Sequence, residues 1–231
     1  MIEEANIDQE EGWYYAKLAQ RCLDGLARNN IPGFYCPDTE SACAKVLELI
    51  PPDVSVGFGD SVTLFQTGII AGLEKRKNNL LLHPFYHNNS VVYYPETRGE
   101  VAKKGKEILN ADYYLTGANA ITIDGKIVNT DGLGNRVASI IFGPRRVIVV
   151  AGINKIVLDL GQALQRIKTV AAPLNAQRHH LKHGRSPTPC STTGICIDCH
   201  SPSRICNYTV IVEHQPSQRI QVVLVGQRLG Y

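Results

Sequence analysis

The run Arg146-Val147-Ile148-Val149-Val150-Ala151 constrains the fold of this chain more than any other feature. Apolar, mostly β-branched residues with no polar alternation suit a strand covered on both faces, the kind found at the centre of parallel sheets flanked by helices. The surrounding sequence supplies the alternation of strand and helix that such a sheet needs. Tyr15, Leu18, Ala19, Cys22 and Leu26 recur at helical spacing between Asp8 and Asn29, which predicts an amphipathic helix with Cys22 in the core. An extended piece at Phe34 to Cys36 precedes a helix carrying Ala42, Val46 and Leu49 on one face and stopped by Pro51-Pro52. Val54 to Phe58 reads as a strand, followed by a helical stretch; Val91 to Tyr94 as extended, Arg98 to Asn110 as helical, and Asp112 to Thr116 as a buried strand. Beyond the central run, Ile156, Leu160, Ala163, Leu164 and Ile167 predict another helix.

Two interruptions are expected. Ile121, Ile123, Ile127 and Val128 flank Asp124-Gly125, a dipeptide suited to the left-handed geometry of a tight hairpin turn. A short helix carries Val137 to Phe142. From Ala176 to Ile205 the chain turns to His, Pro, Ser, Thr, Gly and Cys, so this stretch cannot make a core of its own. Thr209 to Val212 and Ile220 to Val225 read as returning strands that pin it to the body. With 231 residues and 44% hydrophobic content, the chain reads as one α/β domain, 1–231, with the Cys-rich segment 176–206 as an appendage.

The acidic start, MIEEANIDQEE, has no basic or apolar leader region, and no apolar run reaches the roughly 18 residues of a membrane span, so a cytoplasmic location is expected. A net charge of +3 is too small for a groove that neutralises phosphates, and nucleic acid is not an expected partner.

Seven cysteines without a leader read as thiols or ligands rather than a disulfide framework. Cys22, Cys36 and Cys43 are scattered, with no activating partner in view, whereas Cys190, Cys196, Cys199 and Cys206 follow C-x5-C-x2-C-x6-C, with Pro189, Gly194 and Pro202 to turn the backbone. Four thiolates on a polar, turn-rich loop suit either a 4Fe-4S cluster or a tetrahedral zinc, and the spacing matches neither common pattern. Arg204 is placed to offset cluster charge. Four cysteines complete a site by themselves, so His179, His180 and His183 are expected to face solvent, and His83 and His87 receive no role.

Two polar, glycine-rich stretches could receive an anion. Gly57, Gly59, Asp60, Ser61 and Thr63 lie between strand and helix, where backbone N–H groups and hydroxyls are exposed; the stretch has neither the third glycine of a dinucleotide motif nor the lysine of a Walker loop. Gly117 and Asn119, then Asp131, Gly132, Gly134, Asn135 and Arg136, lie at the ends of expected strands, where open α/β sheets bind ligands. Turn and capping chemistry would also explain these residues; Arg136, with its forked guanidinium, is the best candidate for an anion contact. No serine or cysteine triad and no HExxH motif is present, so no nucleophile is assigned and enzymatic activity stays open.

The run YLTGANAITIDGKIVNTDGLGNRVASIIFGPRRVIVVAGINKIV (114–157), VGFGDSVTL (56–64), the tail PCSTTGICIDCHSPSRICN and the closing VVLVGQRLGY together resemble the LUD (lactate-utilisation) domain family over nearly the whole chain. The resemblance implies a Rossmann-like three-layer α/β/α sandwich of the ribose-5-phosphate isomerase and CoA-transferase type, with the small hairpin inserted and the Cys-rich loop near the C-terminus. It also implies a presumed pocket lined by Gly57, Gly59, Ser61, Thr63, Gly117, Asn119, Asp131, Gly132, Gly134, Asn135 and Arg136. The implied role is an iron-sulfur redox component acting with partner proteins in lactate metabolism. The alternative is a protein or enzyme for a phosphorylated, carboxylate or CoA-type ligand, with a structural zinc knob. Larger lactate-utilisation subunits carry tandem ferredoxin-like motifs; this chain has one irregular four-cysteine set, so electron transfer would require a partner.

Overall fold

The computed structural model describes residues 4, 6–83, 86–87, 90–91, 98–184 and 187–231, with the backbone alone at 86–87, 90–91, 98–101 and 183. Helix α1 (Asp8–Arg28) opens with Asp8, Glu10 and Glu11 in its first turn, where carboxylates complement the helix dipole, and buries Leu18, Ala19, Cys22, Gly25 and Leu26. Burial first, and Asp124 second, push the Cys22 thiol up to about 12, so it is an inert core residue as expected. Strand β1 (Gly33–Cys36) leads to α2 (Thr39–Leu49), whose start is fixed by Asp38 accepting from the Ser41 N–H at 2.8 Å. Then follow β2 (Ser55–Phe58), α3 (Val62–Gln66), α4 (Ile69–Arg76), β3 (Leu80–Leu82), and a ribbon of β4 (Tyr86–His87) and β5 (Ser90–Val91). The extended stretch expected at Val91 to Tyr94 lies, beyond Val91, outside the described residues.

The second half comprises α5 (Arg98–Ile108), β6 (Tyr113–Gly117), β7 (Ala120–Thr122), β8 (Ile127–Asp131), α6 (Asn135–Ile141), β9 (Arg146–Gly152), β10 (Ile156–Val157), α7 (Leu160–Arg166), α8 (Ala172–His183), α9 (Pro189–Thr193), β11 (Tyr208–Val212) and β12 (Ile220–Val225). Six strands form one sheet in the order β1-β12-β9-β6-β2-β3, every neighbouring pair parallel. Strand β9 lies between β12 and β6 and is buried from Val147 to Gly152. Its Val147, Val149 and Ala151 pack with α1, α5 and α6, and its Ile148 and Val150 with α2, α3 and α4. Helices thus cover both faces of a parallel sheet, a mixed α/β architecture in which the unbroken apolar run of β9 follows from having two apolar environments.

The hairpin is present, with β7 antiparallel to β8 and Gly125 at φ +86°. It belongs to a second sheet, β10-β7-β8-β11, rather than standing alone. Ile156, expected in the following helix, instead pairs in β10 with Ile121, because Asp159 caps the helix by accepting from the Gln162 N–H at 2.8 Å and sets its start at Leu160. That helix also runs past Ala176. A π-helical stretch, Ile167–Ala171, joins α7 to α8, just before Pro173, which has no N–H to give to the carbonyl four residues back. The Cys-rich segment therefore begins near Gly184, where φ is +58° and α8 ends, and not at Ala176. Strand β3 is an addition to the sequence reading. The Cys-rich segment is held at its far end by β11, in the small sheet, before β12 enters the large one. Among the described residues no helix is long and apolar enough to cross a membrane.

Candidate functional site

The connection leaving β2 carries the chain outward to β3, while that leaving β6 carries it the other way, to β9. Where successive connections diverge, the loops part and leave a crevice at the carboxyl ends of the two strands. A cavity of about 180 Å³ opens there, lined by the loop after β2, the loop after β6, the β8–α6 turn, Lys155, parts of α8, Ile205 and the tail residues Gly230 and Tyr231. It brings together Gly59, Ser61, Thr63, Gly117, Asn119, Asp131, Gly132, Asn135 and Arg136 from segments far apart in sequence. Two expected residues stand outside the lining. A Cβ on Gly57 would come within 2.7 Å of the Ile108 side chain, so that glycine lets α5 pack on the sheet. Gly134, at φ +87°, turns the backbone into α6.

Several expected ligand residues are committed to the architecture. Asn119 Oδ1 accepts from the Thr130 N–H at 2.7 Å and from the Arg136 guanidinium at 3.2 Å. Arg136 also donates to the Thr130 carbonyl, and its own N–H donates to Asp131 Oδ2 at 3.2 Å. Asp131 is thus a helix-starting acceptor, and Arg136 is aimed along the cavity wall by its partners. Arg166 ties the loops after β6 and β9 together, donating to the Asn119 carbonyl at 2.6 Å and the Asn154 carbonyl at 3.1 Å.

Lys155, which the sequence reading did not single out, is the principal addition. It follows β9 in the GINKIV run and is 3% exposed, its Nζ donating to Thr63 Oγ1 at 2.9 Å. Burial first, then the charges of Arg166 and Arg136, lower its pKa to about 7. A lone lysine inside an apolar run next to a buried strand is the signal that could have found it. Asp60, part of the glycine-rich stretch expected to meet an anion, is instead bound by cations. Arg178 grips it through two bonds of 2.8 and 3.0 Å and Lys182 through one of 2.8 Å. Burial works to raise the Asp60 carboxyl, but the Arg178 and Lys182 contacts overcome it and hold it at about 2. The polar stretch of α8 therefore faces the protein, and His179, expected in solvent, lines the cavity.

The cysteines are less gathered. Burial raises the Cys206 thiol, Arg204 lowers it, and Cys196 and Cys199 raise it further, so these three thiols share one neighbourhood. Cys190 Sγ instead lies 3.2 Å from Thr188 Oγ1. Among the described residues no three His, Cys, Asp or Glu side chains stand close enough to hold a metal. The soft donor set matches the expected chemistry, and the thiols would have to draw closer for a metal to be held among them. Arg204 anchors the segment, donating to the carbonyls of Cys199 and Cys206.

Fold and cavity define an open-sheet α/β protein with a polar crevice at its switch point. The chain belongs to the LUD domain family, whose model matches residues 19–225, and is a lactate-utilisation-type protein in that sense. Among solved structures, a DUF162 family protein from Deinococcus radiodurans aligns over 91% of this chain and 98% of its own, at 14% identity and a TM-score of 0.49. The translation initiation factor eIF-2B of Pyrococcus horikoshii aligns over 52% of this chain and 48% of its own, at 15% identity and a TM-score of 0.35. For eIF2B delta of Chaetomium thermophilum the values are 53%, 49%, 14% and 0.33. No curated protein matches the chain in sequence.

Proposed function

We propose that the crevice binds a small organic anion and that the protein serves organic-acid metabolism of the lactate-utilisation type. The observation that carries this reading is Lys155: a buried amine whose acting electrostatic neighbours, Arg166 and Arg136, are both cationic. An entering carboxylate or phosphate would favour its ammonium form and meet Arg136 on the same wall, with the Ser61 and Thr63 hydroxyls as further donors. The two carboxylates of the wall are spoken for, Asp60 by Arg178 and Lys182 and Asp131 by the start of α6. Thermal denaturation with added acetate, lactate, pyruvate or inorganic phosphate tests the reading. At least one should raise the melting temperature of the wild-type chain and not that of Arg136→Ala; no effect from any would sink the anion pocket.

The Cys-rich segment is proposed as a soft-metal site, with Cys190, Cys196, Cys199 and Cys206 as ligands of a 4Fe-4S cluster. Such a cluster would supply one-electron transfer, which with a single centre requires a redox partner protein. Anaerobic purification with a visible spectrum and metal analysis decides it. About four irons per chain support the cluster, one zinc makes the knob structural, and no metal removes the proposal.

A further inference from the structure

We propose that Lys155 is a nucleophile that captures the carbonyl carbon of a small 2-oxo acid as an imine, while Arg136 receives the acid's carboxylate. The inference deepens the anion-pocket reading and rests on it. Lys155 is buried and is among the residues that line the cavity. Two glycines keep space beside it: a Cβ on Gly117 would stand 3.7 Å from Nζ, and one on Gly230 3.1 Å away. Lys182, also on this side of the molecule, is bound to Asp60, whereas Lys155 donates to a neutral hydroxyl, Thr63 Oγ1.

Three further features select the chemistry. The same burial among cations that an entering anion would relieve keeps part of Lys155 as the free amine, and a nucleophile needs that lone pair at neutral pH. Burial, Arg166 and Arg136 bring the Lys155 pKa down to about 7, so both protonation states are accessible. The cavity, about 180 Å³, has room for an acid of a few carbons beside Lys155 and Arg136. Arg136 supplies a second fixed point for the acid: with its carboxylate there, its carbonyl can be turned toward Nζ.

The step balances without an oxidant or reductant. The Nζ lone pair forms the C–N bond, the carbonyl oxygen accepts protons and leaves as water, and the two N–H hydrogens of the amine depart with it. Thr63 Oγ1, hydrogen-bonded to Nζ, is placed to relay one of them.

The test is incubation of the whole chain with pyruvate and sodium borohydride, followed by intact mass and peptide mapping, alongside calorimetric binding of pyruvate and lactate. The expected result is a borohydride-dependent adduct of one reduced pyruvate per chain, mapped to Lys155 and lost in Lys155→Arg. Lactate, which has no carbonyl, binds and competes without forming an adduct. Mapping on the unsubstituted chain keeps the test valid if the variant fails to fold. Reversible binding of both acids without an adduct at Lys155, or adducts spread over surface lysines, overturns the imine and leaves the anion pocket standing. Absence of both binding and adduct overturns the two together.

Discussion

At the residue scale the site is a balance between two buried ionisable groups treated in opposite ways. Lys155 is lowered from 10.5 to about 7, so between those values the unfolded chain binds more protons than the folded one and stability rises with pH. Below about pH 7 the penalty of burying this amine is present in full. Lys155→Met should therefore be more stable than wild type at pH 6, by up to on the order of 4 kcal/mol, with the difference shrinking towards pH 10; denaturant titrations at several pH values measure it. Asp60 behaves in reverse. Its carboxyl is at about 2 against an ordinary 3.8, so its contribution is complete above pH 4 and is lost as pH falls towards 2. Asp60→Asn leaves Arg178 and Lys182 half-buried without their anion and should cost about 3 kcal/mol at neutral pH. It should also flatten the acid limb of the stability profile; an unchanged limb would show that Asp60 does not govern it. The sequence pointed to the Asp60 neighbourhood through its glycines and hydroxyls, but the partners of Asp60 lie 118 and 122 residues away. Lys155 was hidden for the same reason, as Thr63 is 92 positions distant.

At the scale of elements, legibility followed the strength of local periodicity. The β9 run, the α1 stripe and the Asp124-Gly125 turn were readable because each states its environment within a few residues. Strand β3 was not, since Leu80–Leu82 is three residues long with no alternation to distinguish strand from helix. Helix α8 was not announced by the sequence, because its polar face packs on Asp60 and the cavity rather than on apolar side chains. The hairpin also does more than its turn signal announced. A Cβ on Gly125 would collide with the Gly25 carbonyl carbon, so turn and helix α1 touch backbone to backbone, and Asn29 Nδ2 adds a bond to the Asp124 carbonyl at 2.9 Å. Gly125→Ala combines a positive φ with that collision, and should destabilise by about 3 kcal/mol or more. Gly68→Ala, also at positive φ but with open space around it, should cost about 1 kcal/mol. Equal losses in equilibrium unfolding would mean that the docking of turn on helix adds nothing.

At the scale of the whole molecule, the large sheet and the Cys-rich segment are stabilised by different means. The sheet is packed on both faces, whereas from Pro189 to Asn207 no residue is buried and the segment takes its shape largely from short-range bonds, many through Arg204 and Thr188. It is nonetheless tied to the crevice. Ile205 lines the cavity, Asn207 donates its backbone N–H to the Asp131 carbonyl at 2.9 Å and its Nδ2 to the Gly132 carbonyl at 3.0 Å, and Cys206 lies between them. A metal drawing Cys196, Cys199 and Cys206 together would fix the position of that wall, so metal occupancy and anion affinity should be coupled, and by linkage each should favour the other. On this account limited proteolysis of the chelator-treated chain should cut within 187–207 while the large sheet keeps its cooperative melt, and anion affinity should fall, on the order of fivefold for a coupling near 1 kcal/mol. Cys199→Ser should reproduce both effects. Equal protease resistance with and without chelator would mean that hydrogen bonds alone hold the segment, and the cysteines would then need a role other than anchoring this wall.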